Sequence, residues 1–201
     1  MLQSCPISTN DAVLWNGDAL VNRTTILYAL RQVSPTVPWC RFLWHRFHIP
    51  SCSFISWLAC RNRLLTKDRM EYIEMTVPDP TCLLCQNYNE TVQHLFSQCP
   101  YTSLMLRACP YPLTINWQNW MQGSFFAGNL PRFEQNIAYL FTSVVIYLTW
   151  KERNSRIHGG QAIPASQLLT SVKRMVREKL YTCASFKRRL QNDPTLSHIL
   201  Y

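Results

Sequence analysis

The stretch C82LLCQNYNETVQHLFSQC99 sets two cysteines three positions apart, follows them with one histidine, and ends on a third cysteine. The spacing is Cys-x2-Cys-x8-His-x4-Cys, which makes Cys82, Cys85, His94 and Cys99 a candidate ligand set. Three thiolates and one imidazole suit a tetrahedral Zn2+ ion. The Cys-x2-Cys pair lets two sulfurs reach one ion from a tight turn. A helix begun near Glu90-Thr91 carries His94, and the four residues after it bring Cys99 back from the helix's far end. Four protein ligands leave no open coordination position, so the expected zinc is single and structural. Zinc binding in such units is worth ~10–16 kcal/mol, so the knuckle and its flanks are expected to fold with the metal. The polar run Gln86–Glu90 reads as the exposed loop. The competing readings are a redox Cys-x2-Cys pair, a chance grouping of buried thiols with a core histidine, and a decayed site.

The surroundings bound the alternatives. The chain has 201 residues, 47% of them apolar, with a net charge of +9. The charge is uneven: residues 151–201 hold ten Lys/Arg against three Asp/Glu, whereas residues 82–150 hold two of each. A basic C-terminal segment attracts polyanions, of which nucleic acid is the commonest; the plain alternative is a solvated helix face. The first residues, MLQSCPISTND, lack the basic and apolar regions of a secretory signal. The most apolar run, Ile137–Trp150, falls short of the ~20 residues that span a bilayer and reads as a buried core helix. The nine cysteines are therefore read as belonging to a reducing, intracellular compartment, with Cys5, Cys40, Cys52, Cys60, Cys109 and Cys183 as small core residues.

Punctuation along the chain gives a mainly α fold. Residues 1–10 read as a leader. Asp11–Gly17 suggests a short strand and turn, and Thr25–Val33 a helix. An aromatic helix over Trp39–Phe47 stops before Pro50; His45 and His48 on it pack or face solvent. Ser51 is a plausible N-cap for a helix over Cys52–Arg63 with Phe54, Ile55, Leu58 and Ala59 on one face, and Thr66 for Lys67–Glu74. Residues 109–132 read as a connector with Trp117 and Trp120 packed down. Two long helices follow. Phe133–Arg156 ends at Gly159-Gly160, with His158 at its close. Ala165–Leu190 is amphipathic, with a stripe through Leu168, Leu169, Val172, Met175, Val176, Leu180, Cys183 and Phe186. The resulting division is 11–108 for the knuckle domain, 109–132 for the connector and 133–201 for a helical, basic region.

The order Asp11–Trp15, Trp39…Trp44, Ile49-Pro50, Trp57, Leu64–Asp68, C82LLC85 and E90TVQHLFSQCP100 resembles the zinc-binding domain that follows the polymerase in plant non-LTR (LINE-type) retrotransposon proteins. One departure is Leu65, where the family has proline. W150KERNSRIH158 is similar to the helix end that follows in those proteins. The resemblance implies that Cys82, Cys85, His94 and Cys99 hold zinc, that the Trp and Leu positions form a small helical core, and that the domain grips template RNA or target DNA. The polymerase's Tyr-x-Asp-Asp motif is absent and the five Asp include no adjacent pair. No enzyme is expected: the chain reads as the tail of a polymerase, beginning at its own Met1.

The leading reading is thus a non-catalytic zinc module that binds RNA or single-stranded DNA. Tyr88 would stack on a base, and Arg61, Arg63, Lys67 and Arg69, or Lys173, Arg174, Arg177, Lys187, Arg188 and Arg189, would hold phosphates. Phe96 reads as core. The alternatives are a structural or protein-interaction module whose 165–190 helix docks on a partner, and a retrotransposon remnant without selected function. The substrate and the short Lys187-Arg188-Arg189 run point to the nucleus; no membrane partner is expected.

Overall fold

The computed structural model describes residues 14–15, 18–19 and 36–192. The helix expected over Thr25–Val33, the leader and Cys5 lie outside the described residues. The chain divides into two compact units, residues 1–37 and 38–201. In the first, β1 (Leu14–Trp15) pairs antiparallel with β2 (Asp18–Ala19), Leu14 opposite Ala19 and Trp15 opposite Asp18. The strand expected within Asp11–Gly17 is therefore one arm of a two-stranded pairing.

The second unit is helical: α1 (Cys40–Leu43), α2 (Pro50–Cys60), α3 (Lys67–Tyr72), a π-helical turn (His94–Gln98), α4 (Pro100–Arg107), α5 (Trp117–Met121), α6 (Arg132–Ile157), α7 (Ala165–Thr182) and α8 (Ala184–Asn192). Helix α6 is its axis. Every residue from Ile137 to Ile146 is buried, so the helix is apolar all round and takes neighbours on every side. Helices α1, α2, α4 and α7 all pack against it. The buried Thr142 and Ser143 hydroxyls cost little there, because they donate to the carbonyls of Ala138 and Leu140. The helix stops where Gly159 takes φ +75° and Gly160 N–H reaches back to the Ser155 carbonyl. A Cβ at Gly160 would lie 2.2 Å from Ser155 Oγ, so the stop needs both glycines.

Several expectations change in three dimensions. Ser51 does not cap α2. The cap is Ile49, with Pro50 at the first helical position, where a missing N–H costs nothing. The fully buried face of α2 is Cys52, Ser53, Ser56 and Ala59; of the expected face Ala59 is buried, Ile55 and Leu58 are half-buried against the core and Phe54 is exposed, stacking on Trp57 at the surface with ring centroids 6.0 Å apart. Small side chains let α2 approach α6 closely, and Ser53 Oγ donates to the Leu43 carbonyl. Trp44 is likewise 63% exposed, so the tryptophans at 44 and 57 are not the core that the resemblance implied. Phe42, Leu43 and Phe47 fill that role. Only one helical turn, α1, forms in the aromatic segment expected to be helical throughout.

The 109–132 segment carries α5 and supplies core as well as connection. Trp120 stacks on Phe125 at 5.5 Å, and Phe125 meets Phe42 and the edge of Tyr139. Residues from both sides of it share one hydrophobic core, so the segment does not separate two cores. The expected last helix is broken at Cys183 (ψ 110°), giving α7 and α8. Of its stripe, Leu168, Val172, Val176 and Leu180 are buried from α7 and Phe186 from α8 stacks on Phe133 at 6.2 Å, while Leu169, Met175 and Cys183 are half-buried at its edge.

The tight α2–α6 contact gives a test. Ala59→Leu forces bulk into a face with no room and is expected to cost about 1–3 kcal/mol in urea unfolding. Ser51→Ala is expected to stay within about 0.5 kcal/mol, less than the loss of a real cap.

Candidate metal centre

The zinc-type cluster is built from a short hairpin and a widened helical turn. Thr81 and Asn89 form an antiparallel bridge; Cys82 N–H donates to the Tyr88 carbonyl, and Glu90 N–H to the Pro80 carbonyl. Inside it, Gln86 N–H closes on the Cys82 carbonyl, with Gln86 at φ +58°. That turn presents Cys82 and Cys85 on one side. Thr91 then starts the helical turn, its Oγ1 accepting from His94 N–H at 2.9 Å. Cys99 N–H bonds the His94 carbonyl five residues back, at 2.7 Å. In a regular α-helix, positions five apart stand well around the axis from each other; the wider π turn brings His94 and Cys99 back to one side.

The Sγ atoms of Cys82, Cys85 and Cys99 and a ring nitrogen of His94 all lie within 4.8 Å of one another. Cys85 Sγ is 3.3 Å from His94 Nε2. Cys82, His94 and Cys99 are buried and Cys85 is partly so. Contact with Cys99, and then the N–H groups of Cys85 and Leu84, bring the Cys82 thiol down to about 4, against the opposing effect of burial. The same contact with Cys82, with burial second, pushes Cys99 up. The pair gives up one proton readily and a second with difficulty, and a divalent cation in the proton's place removes that difficulty. The donor set therefore fits zinc. By contrast, burial pushes Cys52, Cys60 and Cys109 up to about 12, as inert core thiols. Among the described residues no second cluster of this kind occurs.

A buried ion pair ties the hairpin to the rest. Glu90, read as loop from sequence, is 1% exposed, and so is Arg153 of α6. Arg153 Nη2 is 2.6 Å from Glu90 Oε1, and its Nε reaches both carboxylate oxygens at 3.0 and 3.2 Å. Glu90 Oε1 also accepts the Lys67 N–H at 3.1 Å, at the start of α3. That is the cap expected from Thr66, whose hydroxyl is buried without a partner; the anion comes from 23 residues away instead. One turn on, Arg156 donates to the Leu83 carbonyl, between the two knuckle cysteines, and to the Ile163 carbonyl, both at 3.0 Å, and pairs with Glu152 at 2.7 Å. It also lies over the Tyr101 ring. Glu90 has no partner visible in its own segment, and periodicity gives no sign of a pairing to a helix end more than sixty residues later.

Residues 23–105 match the family model for zinc-binding in reverse transcriptase. The match covers less than half of the chain. It includes all four cluster residues and Glu90 and stops short of Arg153 and Arg156, so the partners that fix this zinc-binding segment lie beyond it. The searches of curated proteins and of solved structures gave no match.

The candidate nucleic-acid residues fall into distinct settings around the segment. Tyr88 is 61% exposed, its ring 5.6 Å from that of His94. Phe96 is fully buried, as expected. Arg61 and Arg63 are exposed at the end of α2, and Arg69 lies over the Tyr72 ring. Lys67 is 8% exposed: its ammonium donates to the Thr81 carbonyl and faces Asp79 at 3.6 Å, which commits it to the hairpin rather than to solvent. On α7 and α8, Lys173, Arg174, Lys187 and Arg188 are exposed and Arg177 is partly covered. Arg189 pairs with Glu134 at 3.1 Å and lies over Phe133. Arg61 and Arg63 thus stand apart in sequence from the α7–α8 cations.

Removing one partner of a buried pair leaves the other charged and uncompensated. Arg153→Met is expected to destabilise by about 3–5 kcal/mol in denaturant unfolding, and Glu90→Gln added to it should recover part of that loss while still accepting from Lys67 N–H.

Proposed function

We propose that this chain is a non-catalytic module holding one structural Zn2+ on Cys82, Cys85, His94 and Cys99, derived from a plant non-LTR retrotransposon reverse transcriptase, and that it binds RNA or single-stranded DNA in the nucleus. The observation that carries the metal part is the closed, mostly buried Cys3His donor set, whose hairpin is tied to α6 through Arg156 on the Leu83 carbonyl and Arg153 on Glu90. When bound, the ion cross-links the hairpin to the π-helical turn. The protein's own residues do the rest: Glu90 fixes the hairpin on α3 and α6, Arg156 holds the backbone between the paired cysteines, and Thr91 starts the turn that aims His94. With four protein donors, no position is left for a reacting water.

The nucleic-acid part is supported by the surplus of cations in residues 151–201 and by the exposed Tyr88 beside the cluster. Arg61, Arg63, Arg69, Lys173, Arg174, Arg177, Lys187 and Arg188 are the cations proposed for phosphates, with Lys67 and Arg189 held by internal partners. No helix among the described residues is long and apolar enough to cross a membrane.

Elemental analysis of purified protein is expected to give one zinc per chain, absent from Cys82→Ser/Cys85→Ser; no zinc in the wild type would overturn the assignment. His94→Ala is expected to release the metal and broaden unfolding, whereas His158→Ala, at the exposed end of α6, changes neither. Affinity for a short single strand is expected to fall linearly in log–log form with salt, by about 0.7 per phosphate contact; binding that ignores salt would contradict the nucleic-acid reading.

A further inference from the structure

Away from the metal centre, Arg41, Arg46 and Arg132 line one pocket of about 540 Å3 between the α1 segment and the start of α6. No Asp or Glu lines it, and among the described residues none of the three guanidinium groups has an acidic partner. Three like charges converging without a counter-charge repel one another, and an anion relieves that repulsion. Arg132 begins α6, and Gln135 and Asn136, four and five residues into it, also line the pocket, so the N-terminal end of a 26-residue helix borders it; Glu134 of the same turn does not line it and pairs with Arg189.

His45 is the buried polar residue of the pocket's wall, 4% exposed. Its Nδ1 accepts the Phe47 N–H at 3.2 Å, so the ring proton sits on Nε2. That Nε2 is buried with no hydrogen-bond partner. Burial first, then His48 and Lys179, push its pKa down to about 3, which keeps the ring a neutral donor. The anion site is therefore carried by the three guanidinium groups, which share one cavity without an acidic partner among the described residues. The remaining lining residue that matters is Trp44, 63% exposed although large and apolar.

We infer that this pocket takes a phosphate of a single-stranded nucleic acid, with the base of the same nucleotide stacked on Trp44. The inference rests on the nucleic-acid reading above and gives it a place that the sequence did not suggest. The volume exceeds what a lone phosphate fills and lies in the range of small-ligand sites. Guanidinium groups match phosphate oxygens two at a time, and an indole beside them matches a base rather than an acidic side chain. A base reaches Trp44 only when unstacked from its neighbours, which favours a single strand over a duplex.

The test uses the full zinc-loaded chain, a labelled oligo-U strand, and uridine 5′-monophosphate and uridine as competitors. Arg41→Gln/Arg46→Gln is expected to weaken strand binding at least about tenfold and to flatten its salt dependence. Trp44→Ala is expected to cost about fivefold or more. The charge-matched control Arg107→Gln/Lys151→Gln, at exposed positions elsewhere, should stay within about twofold. The monophosphate should compete and the nucleoside should not, which separates the phosphate's part from the base's. All the substituted side chains are solvent-facing, and zinc content and melting temperature check that the fold is kept. Equal losses in the pocket pair and the control would overturn the pocket while leaving diffuse nucleic-acid binding intact. A wild-type chain that binds neither strand nor monophosphate would overturn both.

Discussion

Glu90 is buried at the end of the hairpin that carries Cys82 and Cys85, and a buried carboxylate is tolerated only with a cation and further donors around it. Arg153 provides the cation and the Lys67 N–H the further donor. These contacts fix three pieces at once: the hairpin, the start of α3 and the end of α6. Burying the pair is not in itself a large gain in stability. Its consequence is specificity of arrangement, since an alternative docking of the hairpin would strand one charge in apolar surroundings.

The remainder of the architecture follows from that attachment. With its C-terminal end held at the hairpin, α6 runs through the centre of the unit and has to be apolar on every side. The small face of α2 lets it lie close on that axis, and the cost is that Phe54 and Trp57 are left at the surface. The aromatic cluster of Trp120, Phe125, Phe42 and Tyr139 closes the other end of α6. Arg41, Arg46 and Arg132 gather there, well along the helix from Arg153 and Arg156. At the hairpin end Arg153 and Arg156 are consumed by internal partners; at the opposite end Arg189 pairs with Glu134, while Arg41, Arg46 and Arg132 have no acidic partner among the described residues. The same residue type holds the fold together at one end of the axis and presents charge at the other.

The clustering of Cys82, Cys85, His94 and Cys99, the core helix at Ile137–Trp150 and the stripe of α7 were legible because each is a local pattern: fixed spacing for the cluster, a run of apolar residues, a repeat of three and four. The helix stop at Gly159-Gly160 was legible for the same reason. Glu90 was misread as loop because what buries it is an arginine far along the chain, and a single charged residue between polar neighbours carries no mark of that. The resemblance implies a core role for Trp44 and Trp57, yet both are exposed: which face of a helix turns inward depends on what it packs against, and α6 selects the small face of α2. Ser51 and Thr66 had the right chemistry for caps, but a proline at the first position and a distant carboxylate took those roles.

If the attachment is as described, the metal segment and α6 should open together and not as separate units. Amide hydrogen exchange of the zinc-loaded protein, compared with protein stripped of metal by a chelator, measures this directly. Loss of protection through Ile137–Ile146 on metal removal, alongside that of the hairpin, is the predicted result. Full protection of that stretch, with exchange confined to residues 81–99, would mean that the cluster is an appendage on an independently stable helical core.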